Sequence, residues 1–246
     1  MKVISMIPSW TETLIAAGVD VVGRTRFCIH PKPEVSKIPA VGGTKDIKWD
    51  KVKELGADLL LLDQEENPKA MADESPLPYI VTHIKSVSDV ERDCRMMADK
   101  FKNKKLEDIA DRWKKISTHK PKPRTLEEIP GIMKWLKSPT IDDAKFIYLI
   151  WKNPWMAVSK QTFIGSVFER LGLAGHMIDF STAYPEIKLE DYNPLKTLLL
   201  CSTEPFPFAK KQDDLSSLPN PSAIIDGEAY SWFGVRSLEF LEKNIR

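Results

Sequence analysis

The stretch Lys2-Val3-Ile4-Ser5-Met6-Ile7-Pro8-Ser9-Trp10-Thr11-Glu12 sets the fold. Lys2 to Ile7 is a short apolar run rich in β-branched residues, which predicts a strand. Ser9 and Glu12 then stand three apart. In a capping box of that spacing, a hydroxyl and a carboxylate satisfy amide donors at a helix start. The helix is expected to run to about Ala17 and to stop at Gly18. Val21 to Thr25 is expected as the next strand. Strand, helix and strand with short connections make a βαβ unit, and that unit implies a parallel pair.

The same rhythm continues outward. Arg26 to Asp46 reads as a long Pro/Gly loop, and Ile47 to Leu55 as a short helix closed by Gly56. Leu59 to Leu62 has no polar alternation, as in a strand buried on both faces of a parallel sheet. Pro68 to Glu74 reads as a helix and Tyr79 to Thr82 as a strand. Residues 1–85 are therefore expected to form an N-terminal α/β lobe. Val87 to Ser117 holds no Gly and no Pro. Val90, Cys94, Met97, Phe101, Ile109, Trp113 and Ile116 recur at helical spacing, which predicts a long connecting helix over 86–119 with a break near Asn103. Its basic stretch Lys100–Lys115 is interleaved with Glu107, Asp108 and Asp111, the pattern of a solvated face.

Residues 120–143 are Pro-rich and charged and read as an inter-lobe insertion with a helical patch near Ile129–Leu136. Residues 144–246 are expected as a C-terminal α/β lobe. Its strands are Phe146–Trp151, Thr197–Ser202 and Ala223–Asp226, and its helices Thr162–Leu171, Ala209–Leu218 and Ser237–Asn244. The fold class is α/β: two lobes with mainly parallel sheets flanked by helices, joined by a long helix.

Composition narrows the function. Among 246 residues, 36 Lys+Arg balance 35 Asp+Glu, a net charge of +1. Such a balance supplies no general field for nucleic acid or an anionic membrane. A hydrophobic fraction of 42% and a charged fraction of 29% suit a globular chain. Cys28, Cys94 and Cys201 are odd in number and widely spaced, so reduced thiols are expected and not a disulfide framework. No run approaches the length of a membrane span. The opening residues lack a secretory leader pattern, so a cytoplasmic chain is expected, or a periplasmic one if a leader precedes Met1.

The 18 prolines and seven tryptophans matter by position. Each aromatic or charged loop follows the carboxyl end of an expected strand, where open α/β sheets bind ligands. Such loops would line a cleft with Trp10, Phe27, Trp155, Phe206, Phe208, Tyr230 and Trp232. Wide apolar faces with a polar edge suit a large flat ligand. Arg26, Lys45, Glu65, Glu66, Glu204, Glu228 and Arg236 would orient it. Taken loop by loop, the same aromatics also read as packing plugs. Cys28 and His30 alternate, so an extended segment points both to one side, where with Glu65 or Glu66 they could hold a metal; a buried thiol and a loop-anchoring imidazole are the other reading. His83, His119 and His176 have no partner pattern. Gly42-Gly43-Thr44-Lys45 lacks P-loop spacing. It reads as a tight turn that delivers Lys45 to a ligand carboxylate or phosphate, or to Glu65 or Glu66. No nucleophile elbow or Ser/His/Asp order is present.

The opening ISMIPSWTE, Val22-Gly23-Arg24-Thr25, Gly42-Gly43 and Leu55-Gly56-Ala57-Asp58-Leu59-Leu60 resemble class III ABC-type substrate-binding proteins, the vitamin B12 and iron-siderophore group also called helical-backbone metal receptors. The set RFCIHP, VGGTK, QEEN, WKNPWM, TEPFPF and DGEAYSWFG resembles a signal-less subgroup of these. The resemblance covers nearly the whole chain outside 120–143. It implies two α/β lobes on a rigid helix and a non-catalytic binding role. It also implies a corrinoid ligand, held here by Trp10, Phe27, Trp155 and Trp232, with a metal-siderophore or haem-type chelate as the alternative. No cofactor is required, and an ABC permease is an implied partner only for an exported chain. Two other classes remain open: an enzyme or metal site built on Cys28, His30 and Glu65 or Glu66, and an interaction module using the aromatic loops.

Overall fold

A computed structural model describes residues 1–139 and 144–245. The end of the expected insertion, 140–143, and the final residue lie outside them. The chain divides into two compact units, Met1–Ser117 with Trp232–Leu238, and Thr118–Ser231 with Glu239–Arg246.

The first unit holds strands β1 (Lys2–Ser5), β2 (Asp20–Thr25), β3 (Ala40–Gly42), β4 (Leu59–Asp63) and β5 (Tyr79–Thr82). They form one sheet in the order β3-β2-β1-β4-β5. All four pairings are parallel, with Val3 opposite Val21 on one side and Leu59 on the other. Every residue of β4 is buried, as its unalternating Leu run requires. Ile4, Met6, Val41, Val52, Leu60, Leu62 and Met71 form one core cluster. β3 and a 3-10 turn at Glu34–Lys37 fall inside the stretch expected as a loop. β3 spans three residues beside glycines, too short for a periodicity signal.

Helices α1 (Pro8–Ala16), α2 (Trp49–Glu54) and α3 (Lys69–Asp73) connect these strands. The expected capping box is not formed. Ile7 is the N-cap and Pro8 opens the helix, where its missing N–H is no loss. Ser9 and Glu12 lie inside α1, and Glu12 is used elsewhere. The expected long helix is two helices, α4 (Val87–Phe101) and α5 (Lys104–Thr118). Lys102 turns left-handed at φ 50. Asn103 then caps α5 through Leu106 N–H and ties it to the Ala17 carbonyl. Of the residues picked out by helical spacing, Val90, Cys94, Met97, Ile109, Trp113 and Ile116 are buried and Phe101 is half-buried. Residues 87–117 belong to the first unit.

The segment Trp232–Leu238 completes this unit against α1. Phe233 meets Trp10 edge-on at 5.3 Å. Val235 N–H donates to Thr13 Oγ1 at 3.1 Å. Arg236 donates to both oxygens of Glu12, at 3.0 and 2.6 Å. Between them, Gly234 has φ +109, and a Cβ there would lie 2.1 Å from Thr13 Oγ1. Only glycine fits so close an approach.

The second unit holds β6 (Ile132–Lys137), β7 (Lys145–Trp151), β8 (Trp155–Ala157), β9 (Glu186–Ile187), β10 (Thr197–Ser202) and β11 (Ser222–Ile225) in the order β6-β11-β10-β7-β8-β9. β7, β10 and β11 are parallel, and β6, β8 and β9 add antiparallel edges. The patch expected as helical within 120–143 is therefore strand β6. Its Ile-Met-Lys-Trp-Leu-Lys sequence satisfies both patterns, and pairing with β11 decides. Helices α6 (Phe163–Arg170), α7 (Gln212–Ser216) and α8 (Gly227–Ser231) follow, and α9 (Val235–Asn244) belongs to this unit from Glu239 onward. Thr162 caps α6 by accepting from Gly165 N–H. The core is aromatic on one side. Phe168 packs on Phe146 at 4.7 Å and on Tyr230 at 4.6 Å, and Tyr230 reaches Phe240 at 5.0 Å.

Candidate functional site

In the first unit the parallel sheet sends the chain after each strand toward one edge, and a polar network organises that edge. Thr82, at the end of β5, accepts from Trp10 Nε1 at 3.0 Å and donates to Asp63 Oδ2 at 2.7 Å. Asp63 ends β4, and its Oδ1 accepts from Glu65 N–H at 3.0 Å. Asn67 accepts from Asp63 N–H at 2.9 Å and donates to the Thr44 and Met6 carbonyls at 2.8 and 3.3 Å. One amide thus holds the loops after β1, β3 and β4 together. Burial pushes the Asp63 carboxyl up, against the Thr82 hydroxyl and the amides that favour its charge.

On this frame sit the exposed groups. Gly43 N–H bonds the Asp46 carbonyl and closes the glycine turn. Lys45 Nζ donates to the main-chain carbonyls of Glu65 and Glu66, at 3.2 and 2.5 Å. Of the readings for Lys45, contact across the loop is found, made to carbonyls and not to carboxylates. Arg26 pairs with Asp46 at 3.0 Å and lies 4.9 Å over the Phe27 ring, which is 49% exposed. His83 Nε2 stands 3.6 Å from Glu65 Oε1. Glu66 is exposed.

In the second unit, Trp151 ends β7 at 40% exposure with Phe206 edge-on at 5.5 Å. Phe206 touches Phe208, and Phe208 lies parallel to Trp155 at 6.1 Å. Lys152 Nζ sits 5.6 Å from the Trp155 ring centre. Glu204 follows β10, its N–H bonded to Ser202 Oγ, and Glu228 lies in the first turn of α8; both are half-buried.

Several expected ligand residues do other work. Trp10, Phe208 and Tyr230 are fully buried. Trp10 is fixed by Thr82 and Phe233. Phe208 belongs to the core with Leu149 and Cys201. Tyr230 donates to the Pro130 carbonyl at 2.8 Å. Arg236 is committed to Glu12 and is no open anion clamp; its guanidinium lies 5.5 Å from the Trp232 ring. Trp232 is buried, with the His30 ring against its edge at 5.5 Å. Cys28 is buried between Thr11 Oγ1 at 3.1 Å and Thr25 Oγ1 at 3.2 Å, and burial pushes its thiol up. Thiolate ligation is disfavoured there. Among the described residues no group of three or more His, Cys, Asp or Glu could hold a metal ion, so Cys28, His30, Glu65 and Glu66 do not converge.

Sequence reasoning missed Asp63, Asn67, Thr82, His83 and Trp151. Asp63 had a signal as the polar end of an all-Leu strand. His83 had none, because its partner Glu65 is 18 residues away, past the end of the neighbouring strand.

No protein-family model and no curated protein sequence matches the chain. Solved structures do. The periplasmic vitamin B12 binding protein BtuF of Vibrio cholerae is 15% identical, with a TM-score of 0.66 over 98% of this chain and 94% of its own. A periplasmic heme binding protein from Pseudomonas aeruginosa is 16% identical, with a TM-score of 0.71 over 98% and 89%. The periplasmic heme-binding protein RhuT from Roseiflexus sp. RS-1 is 16% identical, with a TM-score of 0.69 over 98% and 95%.

The fold is that of the class III substrate-binding proteins.

That fold spans 98% of the chain. No described helix is long and apolar enough to cross a membrane.

Proposed function

We propose that this protein is a non-catalytic binding protein for a large metal-carrying organic ligand, taken up by the loops at the carboxyl ends of its strands. The observation that carries this reading is the pairing of rings and charges there. Phe27 beside the Arg26 guanidinium, and Trp151 edge-on to Phe206, present apolar area to solvent. Exposed aromatic area of this kind is available to stack on a ligand. The class III fold agrees, and solved proteins sharing it are described as binding vitamin B12 or heme.

On aromatic area a corrinoid is the leading ligand, with Phe27 and Trp155 contributing from the set first expected. A metal-siderophore is the second reading, favoured by the imidazole and carboxylate of His83 and Glu65. An ABC permease follows as partner wherever the chain is exported. Titration with cyanocobalamin, cobinamide, hemin and a ferric siderophore, followed by tryptophan quenching, tests the proposal. Saturable quenching at micromolar concentration by at least one is expected. No quenching by any of the four overturns it.

A further inference from the structure

β3 and β5 edge the sheet of the first unit, and β6 and β9 edge that of the second. Natural sheets keep free edges from pairing by making them short or by placing lysine on them. β3 has three residues and β9 two, and β6 carries Lys134 and Lys137. β5 has neither device. Its sequence Tyr79-Ile80-Val81-Thr82 is uncharged and made of strong strand formers. Tyr79 and Val81 are 48% and 45% exposed.

The main chain of β5 is open on the same side. Successive residues of a strand turn their N–H and C=O to opposite sides. Pro78, Ile80 and Thr82 face β4, where Leu60 N–H bonds the Pro78 carbonyl at 3.0 Å and Gln64 N–H bonds the Thr82 carbonyl at 2.8 Å. The N–H that Pro78 lacks lies on that inner side too, so this proline does not blunt the free edge. Tyr79 and Val81 therefore aim their N–H and C=O outward. Leu77 shares their side but is occupied, since its N–H and its carbonyl both bond Ser75 Oγ, at 3.2 and 2.9 Å.

The outward groups of Tyr79 and Val81 are complementary to themselves. About a two-fold axis at Ile80, Tyr79 lies opposite the partner's Val81, and Val81 opposite the partner's Tyr79. This register uses every outward group of both residues on both copies. It also sets an aromatic ring against a β-branched side chain on one face, a favourable cross-strand pair. The charges at the strand ends fit the same direction. Exposed Asp73 and Glu74 precede β5, and exposed Lys85 follows it. Antiparallel pairing brings the acidic end of one copy beside the basic end of the other, whereas parallel pairing would set like against like.

We infer that β5 is a self-association edge, through which two copies of this chain join antiparallel into one continuous sheet. The two-fold contact closes on itself, so assembly stops at the dimer. Edge pairing buries little surface, so the dimer is weak and forms as concentration rises. The inference is independent of the ligand reading above.

Sedimentation equilibrium from about 5 to 500 μM, the range of weak pairs, tests it. The mass is expected to climb from that of the monomer toward twice that value. Val81→Lys places a guarding charge at an exposed position and should weaken association by about tenfold or more, with the thermal midpoint unchanged. Glu74→Lys and Lys85→Glu should each weaken it, and the two together should restore it. Ile80 lies on the axis, where facing Cα atoms are about 4.5 Å apart, within disulfide reach. Ile80→Cys should therefore link two copies on mild oxidation, and Met133→Cys on the exposed side of β6 should not. A chain that stays monomeric at the highest concentration overturns the inference, whether or not β5 captures some other extended segment. So does a dimer that Val81→Lys leaves intact, because its contact lies on another face. A dimer without the Ile80→Cys link overturns the antiparallel register.

Discussion

Thr82→Val removes one hydroxyl from the centre of the first unit's polar network and keeps the side-chain shape. Two buried groups lose their partner. Trp10 Nε1 is left without its acceptor, and Asp63 Oδ2 without the donor at 2.7 Å. An orphaned buried polar group costs about 1–3 kcal/mol, and a charged one more. The two share an oxygen and do not add fully, so a loss of about 3 kcal/mol is expected. Thr82→Ser keeps the hydroxyl and deletes one methyl, for a loss of about 1 kcal/mol. The contrast between the two isolates the hydroxyl.

The pH dependence adds a sign. Burial raises the folded Asp63 pKa above its unfolded value, and the Thr82 hydroxyl opposes that rise. The protonated acid therefore favours the fold. This contribution is complete below the unfolded pKa near 3.8 and is lost as pH rises through the folded value. Without the hydroxyl the folded pKa rises further, so the Thr82→Val deficit should be smaller at pH 4, where the orphaned Trp10 N–H still contributes, and grow toward neutrality. Urea unfolding by circular dichroism at pH 4, 5, 6 and 7 measures this. A deficit under about 0.5 kcal/mol at pH 7, or one larger at pH 4 than at pH 7, would refute the network's role.

Gly234→Ala should cost more than about 2 kcal/mol, from positive φ and the clash with Thr13 Oγ1, read as a lowered thermal midpoint. Glu12→Gln should cost about 1–3 kcal/mol in urea unfolding, by weakening the two-point grip on Arg236. All three thiols should stay silent to an aromatic disulfide reagent in the folded protein and react on denaturation, since burial pushes Cys28 and Cys94 up and Cys201 up to about 12. Trp151→Ala should leave the thermal midpoint within about 2 °C of the parent and weaken chelate binding severalfold in the quenching titration, because Trp151 is 40% exposed at the end of β7.

Much of the fold was legible because its signals are local. The β4 run Leu59–Leu62 announced a doubly covered parallel strand, and the spacing of Val90, Cys94, Met97 and Ile109 announced buried helix faces. The break at Lys102–Asn103 was placed correctly. What failed depended on distant partners. Glu12 fits a capping box on spacing, yet a guanidinium 224 residues onward takes it. Residues 132–137 became a strand because β11 offered an edge. At the site, the loops were placed by the rule that they follow strand ends, but direction was not legible. Trp10 and Trp151 both follow strands. One is sealed by Thr82 and Phe233, and the other faces water. Sequence spacing carries no information on which side of a loop meets the core.

The docking of Trp232–Leu238 on α1 also bears on synthesis. The first unit needs these residues for the Glu12, Thr13 and Trp10 contacts. A ribosome finishes Met1–Ser117 and must then make residues 118–231 before the missing piece emerges. At about 5–20 residues per second, that is a wait of roughly 6–23 seconds. Through that interval the nascent chain carries Glu12 without its counter-ion and one Trp10 edge uncovered. The unit translated first is completed last, so a truncation before Trp232 harms the amino-terminal half as well as the carboxyl-terminal one.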